Sequence, residues 1–229
     1  MTTDANLRVL VCDDHPLFRR AVVTTLEDSG LDVVAEAATG TEAVERVIDH
    51  APDVTLMDLR MPEGTGIDAT AAIRRARPWA RILVLSVSDD LDELVGALRA
   101  GALGHLRKEE AMARLGDAVR TVHEGGVVLG PALARAVALE LDRLDRTLRD
   151  RPVDAGRRSR WGPSNRHTAL LDRFAQGDDL AAAAQALGLD PLMARTELRA
   201  TLEGLHLLAE EELIVEAGES RTGGPGSGT

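Results

Sequence analysis

The chain has 229 residues, enough for two small domains with separate cores, and a formal charge of −11 at pH 7. That acidity argues against a nucleic-acid coat over the whole surface and gives no support to membrane-surface binding, and the one cysteine, Cys12, excludes an internal disulfide and fits a reducing compartment. No apolar run approaches the ~20 residues that span a bilayer, and the opening MTTDANLRVL has neither the basic nor the apolar part of a signal peptide, so a soluble cytoplasmic protein is expected.

In chain order, LRVLVC (7–12), DVVAEAA (32–38), DVTLM (53–57), RILVLSV (81–87) and the brief LGHL (103–106) read as strands. They are mostly continuous apolar runs, as parallel strands covered on both faces require. Amphipathic stretches separate them. Phe18, Val22 and Leu26 share a helical face, as do Thr41, Val44, Val47 and Ile48. Further faces are Leu91, Leu94, Val95 and Leu98, and then Met112, Leu115, Val119 and Val122. Five strands alternating with five helices predict a doubly wound α/β domain over 1–126 with right-handed crossovers. Its ligand site belongs beyond the carboxyl ends of the strands.

GPALARAVALELDRLDRTLRD (130–150) is helical by composition, with Pro131 in a tolerated first-turn position. RPVDAGRRSRWGPSN (151–165) has the Pro, Gly, Ser and Arg content of a linker, so 127–165 reads as a connecting helix and tether. Over 166–217 the pattern is purely helical. Leu170, Leu171 and Phe174 lead to a break at Gly177, and Leu180, Ala183, Ala184 and Leu187 stop at Gly188. Asp190 then caps a helix opening with Pro191, whose inward stripe is Ala194, Leu198, Leu202 and Leu205. This is the skeleton of a helix-turn-helix domain. The end, 218–229, is expected to be disordered.

The polar residues sit at strand ends. Asp13 and Asp14 follow the first strand, Asp58 ends the third, Ser86 the fourth, and the fifth runs into Lys108. Lys108 is the chain's only lysine against twenty-six arginines. A compact ammonium reaches one oxygen in a tight pocket where a planar guanidinium does not fit. Three converging carboxylates call for a divalent cation, and oxygen-only ligands favour magnesium.

These residues, in this order, resemble the receiver domain of two-component response regulators over the whole 1–125 region. The resemblance implies a flavodoxin-like fold and a phosphoacceptor at Asp58. It also implies Mg²⁺ on Asp14 and Asp58 with the Arg60 carbonyl, Asp13 acting through a water, and Ser86 and Lys108 on phosphoryl oxygens. An aromatic switch residue is the family pattern at position 105; here it is His105. The helices built on LLDRFAQG, AAAAQALGL and the segment from Pro191 resemble the four-helix LuxR-type output module of the NarL/FixJ class. That implies a partner histidine kinase, homodimers, and DNA contacts from Arg195, Thr196 and Arg199. The match is degenerate: WGPSNRHTA (161–169) lacks the usual Thr-Pro-Arg-Glu-like opening, and Glu197 and Glu203 lie among the arginines. Residues 167–229 carry four arginines against eleven acidic residues, a net −7, while Arg151, Arg157, Arg158, Arg160 and Arg166 against Asp154 give the tether +4. The alternative is therefore a receiver whose output module works by protein interaction or dimerisation. No metabolic enzyme is expected, since a phosphatase on this scaffold needs a general acid where DLR (58–60) offers Arg60.

Overall fold

The computed structural model describes residues 7–150 and 162–222. Five parallel strands, β1 (Arg8–Cys12), β2 (Asp32–Ala37), β3 (Val54–Asp58), β4 (Ile82–Ser86) and β5 (His105–Arg107), form one sheet in the order β2-β1-β3-β4-β5. The helices between and after them are α1 (Pro16–Asp28), α2 (Gly40–His50), α3 (Gly66–Ala76), α4 (Leu91–Arg99) and α5 (Lys108–His123). The chain winds one way from β1 to β2 and the other way from β3 onward. The crevice beyond the carboxyl ends of β1 and β3 is thus the switch point of the sheet.

Alternation along the strands sends Val9, Val11, Leu56, Leu83 and Leu85 towards α1 and α5, and Leu10, Cys12, Met57 and Ile82 towards α2 and α3. The helix faces follow the sequence pattern with several departures, Thr41 of α2 and Leu91 of α4 among them, both of which are exposed. In α2 the inward residues are Ala43 and Val47 while Ile48 is 48% exposed, and in α5 Ala111 and Ala118 pack inward while Met112 is 43% exposed. Small alanines lie closest to the sheet and tilt the larger neighbours outward. Local caps fix the starts of the helices: Asp90 accepts from the amides of Asp92 and Glu93, and Thr65 with Asp68 forms a capping box.

After α5, residues 126–130 run beside β5. Val128 accepts from the His105 amide at 2.9 Å and donates to Leu103 O at 3.2 Å. Position 104 has to be glycine, because a Cβ there would lie 2.4 Å from Val128 O. This segment feeds α6 (Pro131–Asp150).

The C-terminal part consists of α7 (Asn165–Ala175), α8 (Leu180–Leu187) and α9 (Pro191–Thr222). Ser164 and Asp179 cap α7 and α8, Gly188 closes α8 in the left-handed conformation, and Asp190 accepts from the amide of Leu192 as anticipated. Two expectations change here. The described residues of this module form three helices, not four, because α9 runs unbroken for 32 residues. No proline interrupts it after Pro191, and Gly204 and Gly218 alone do not stop a helix already held by tertiary contacts. For the same reason it passes the expected boundary at 217 and carries 218–222, which are helical rather than disordered. The tether residues 151–161 and the last residues, 223–229, lie outside the described residues.

One apolar cluster joins the two halves. Leu94 and Leu98 of α4 meet Leu133, Val137, Leu141 and Leu144 of α6, which meet Leu170, Leu198, Leu202 and Leu205 of the output module. Ion pairs line the same boundary. Arg74 of α3 meets Glu203 at 2.6 Å, Arg99 of α4 meets Glu212 at 2.9 Å, and Arg143 of α6 meets Glu212 at 2.8 Å.

Leu144 is fully buried in that cluster, so Leu144→Ala is expected to cost about 2–5 kcal/mol in urea unfolding. A loss below about 1 kcal/mol would show that α6 does not hold the two halves together in solution.

Candidate functional site

β1 delivers Asp13 and Asp14 to the crevice, and β3 delivers Asp58 beside them, since Cys12 pairs in register with Met57. Asp13 is held by its own backbone, whose amide donates to Ala37 O at 3.0 Å and whose carbonyl accepts from Arg19 at 2.6 Å. Asp13 and Asp58 are nearly sealed from solvent, whereas Asp14 reaches the mouth and pairs with the exposed ring of His15 at 3.1 Å. β4 ends in Ser86, whose buried Oγ accepts from the Ser88 amide at 2.9 Å.

Lys108 is the first residue of α5, directly after the three-residue β5. Its Nζ lies 2.7 Å from Asp58 Oδ2 and 2.7 Å from Asp13 Oδ2, and 4.8 Å from the centre of the Phe18 ring. It donates a well-aligned hydrogen bond to Asp58; with Asp13 the contact is an ion pair whose oxygen has no aligned donor among the described residues. The five sequence-derived residues of this pocket therefore stand at one end of the sheet.

Burial pushes the Asp58 carboxyl above its ordinary value, and the hydrogen bond and charge of Lys108 only partly offset that. For Lys108 burial works against the ammonium, but the close contacts and charges of Asp13 and Asp58 outweigh it and raise its pKa. Three carboxylates against one ammonium leave two negative charges in the pocket. Ligand atoms of Asp13, Asp14 and His15 lie within 4.8 Å of one another, and a cleft of about 550 Å³ opens over Asp14, Asp58 and Lys108. The residual charge and the hard oxygens fit a divalent cation of the magnesium type.

Other residues shape the site, of which Phe18 and Gly66 had not stood out as site residues in the sequence. The Arg60 amide approaches Asp58 Oδ1 at 3.5 Å and its side chain pairs with Glu93 at 3.3 Å. Phe18 looked like an ordinary apolar position on α1. Gly66 lets the first turn of α3 lie on the Asp58 backbone, where a Cβ would meet Asp58 O at 1.9 Å. His105 is half-buried on β5; burial lowers its pKa, and its Nε2 has no hydrogen-bond partner among the described residues.

The three remaining sequence-derived residues lie far from this pocket on α9. Thr196 is exposed. Arg195 pairs with Glu124, at the end of α5, at 3.0 Å, and Arg199 lies beside Gly125, where a Cβ would be 3.1 Å from its guanidinium. Among the described residues no helix is long and apolar enough to cross a membrane.

Residues 9–120 match the family described as the response regulator receiver domain. The probable transcriptional regulatory protein NarL of Mycobacterium tuberculosis is 34% identical over 218 residues, covering 94% of this chain and 95% of that protein. A crystal structure of a LuxR-family two-component response regulator from an Aurantimonas species is 34% identical, covers 59% of this chain and 98% of its own, and superposes with a TM-score of 0.55. The response regulator RcsB of Salmonella typhimurium covers 91% of this chain and 98% of its own with a TM-score of 0.52, and at 22% identity it bears on the fold alone.

Replacing Lys108 by Met strands Asp13 and Asp58 side by side without their cation. Loss of one partner from a buried pair costs about 3–5 kcal/mol, and the variant is expected to show a destabilisation of that order in urea unfolding. Wild-type stability in Lys108→Met would mean that the ammonium does not neutralise the pair.

Proposed function

The chain belongs to the family of NarL-type response regulators, and on that footing we propose that it is a transcription regulator switched by phosphorylation of Asp58. One observation supports this above the others: Asp13 and Asp58, from two neighbouring strands, close around the single ammonium of Lys108, with Asp14 beside them at the mouth of the cleft. An Asp58 oxygen attacks the phosphorus of a phosphohistidine on a partner sensor kinase. The new O–P bond forms as the bond from phosphorus to the imidazole breaks, leaving an acyl phosphate. Lys108 turns from the carboxylate oxygen to a phosphoryl oxygen, and Ser86 donates its hydroxyl to another. Asp14, Asp58 and the Arg60 carbonyl would hold a magnesium ion, with Asp13 nearby, and that ion would supply positive charge to the phosphoryl oxygens. His105, on the strand leading into Lys108, is the switch residue of this scheme. A cytoplasmic location belongs to the same proposal.

The output follows from the packing of α9. In this arrangement Arg195 is tied to Glu124 and Arg199 rests on the turn after α5, so both face the receiver. We take this as the closed form. Phosphorylation favours a second packing in which α9 leaves the receiver. Arg195, Thr196 and Arg199, grouped by i, i+4 spacing, then reach the major groove, with two chains on spaced half-sites.

Two observations favour a second reading, in which the output module binds protein. The module is net −7 over 167–229, and the first turn of its long helix exposes Leu192 at 68% and Met193 at 46% rather than basic groups. Binding to DNA rests heavily on basic contacts with phosphate.

Asp58→Ala is expected to abolish Mg²⁺-dependent phosphate incorporation from acetyl phosphate, read by phosphate-affinity electrophoresis; retained labelling would place the phosphoacceptor elsewhere. Chromatin pull-down of the phosphorylated chain against Arg195→Ala with Arg199→Ala separates the two output readings. The DNA reading expects loss of retention and, on an enriched duplex, a salt slope shallower by about 2 per bound chain. An unchanged slope removes those arginines from the interface. Glu124→Arg is expected to raise DNA retention of the unphosphorylated chain several-fold, and no change would mean that the Arg195 contact does not close the molecule.

A further inference from the structure

The chain has two phenylalanines, two tryptophans and no tyrosine, and one of these few rings lies against its only lysine. Phe18 stands in the first turn of α1, just after the strand that delivers Asp13 and Asp14, and Lys108 opens α5. Both helices cover the same face of the sheet, which brings their first turns together at the pocket. There Lys108 Nζ sits over the face of the Phe18 ring, 4.8 Å from its centre and within reach of a cation–π attraction. Phe18 is only partly buried and lines the cleft with Asp14, Asp58 and Lys108. Packing alone would be met at such a place by any apolar side chain of similar size. What a ring adds is a negative face for the ammonium.

The ammonium has neighbours on three sides. Asp13 Oδ2 and Asp58 Oδ2 each lie at 2.7 Å, and the ring takes the third side. In the proposed reaction Lys108 turns from Asp58 to a phosphoryl oxygen, and it has to do so without escaping into the open cleft. The hydrogen bond to Asp58 holds Nζ along one line and is given up in that turn. The ring face attracts the charge over a broad area and keeps its hold while the ammonium swings. A four-carbon stem without that support has many rotamers open to it. We propose that Phe18 is a positioning residue for phosphoryl transfer to Asp58, its ring face keeping the Lys108 ammonium in the pocket as Nζ passes from Asp58 to the phosphoryl group. This role rests on the proposed phosphorylation of Asp58.

The test uses the full-length chain with Phe18→Leu and with Phe18 carrying increasing numbers of ring fluorines, which drain the ring face of negative charge and nearly keep its shape. The first readout needs neither phosphodonor nor metal. In chain grown with labelled lysine, the single lysine gives one set of ε-methylene signals, and these are expected upfield in the wild type and at their ordinary position in Phe18→Leu. The second readout is the rate constant for phosphate uptake from acetyl phosphate, in which an Asp58 oxygen bonds to phosphorus as the bond from phosphorus to the acetate oxygen breaks and acetate leaves. The rate is expected to fall stepwise with fluorination and to be roughly 2- to 30-fold lower in Phe18→Leu. Equal rates across the fluorinated series, or lysine signals that Phe18→Leu does not move, would overturn the role of Phe18 alone. A wild-type chain that takes up no phosphate would overturn the Asp58 reading and this role with it.

Discussion

One ammonium between two buried carboxylates sets the geometry of the receiver. Asp13 and Asp58 arrive on adjacent strands and are almost closed to water, where like charges repel far more strongly than at the surface. Lys108 answers both at 2.7 Å and is itself flanked by Phe18. The tendency of burial to discharge the lysine is outweighed by the two carboxylates, so the ammonium keeps its charge, while burial still pushes the Asp58 carboxyl upward. An arginine would bring a wider fork into the same space and leave less of it for an incoming phosphoryl group. The two negative charges that remain are ones a divalent cation of the magnesium type would neutralise.

The same lysine ties the pocket to the rest of the molecule. It follows a strand of only three residues, and β5 is bonded on one side to β4, which carries Ser86, and on the other to Val128. Val128 belongs to the segment that enters α6, and α6 shares its apolar face with α4 and the output helices. A displacement of β5 therefore presses on hydrogen bonds and packed side chains that continue into the output module. The close fit of Gly104 against Val128 leaves little slack at this step.

The strands and the acidic pocket were legible because each rests on a local rule. Parallel strands buried on both faces read as apolar runs, and a polar residue ending such a run must sit at the sheet edge. Pro131, Gly188 and the Asp190–Pro191 pair marked helix ends for equally local reasons. What escaped depends on which faces meet. Periodicity gave α9 an inward stripe, yet nothing in it foretold that Arg74 would be buried against Glu203 or that Arg99, Glu140, Arg143 and Glu212 would form one network. The unbroken run of α9 was hidden for a related reason. Gly204 and Gly218 weaken a helix by propensity, and long-range packing overrides that. Phe18 and Gly66 were invisible as site residues because their roles lie in proximity to Lys108 and to the Asp58 backbone, not in their own chemistry.

The acidity of the output module takes on a different meaning once α9 is seen docked. Glu203 and Glu212 do not merely dilute a basic surface; they meet Arg74 and Arg99 of the receiver across the boundary. Arg74 is buried, so its charge would lack compensation if Glu203 were apolar. The same glutamates, freed by opening, would stand on a helix next to DNA phosphates and repel them. Both effects act in one direction: they stabilise the closed packing and weaken the open, DNA-bound one. Such a helix needs a strong input before it leaves the receiver, and the proposed phosphorylation of Asp58, beside Asp13 and Lys108, is suited to supply it.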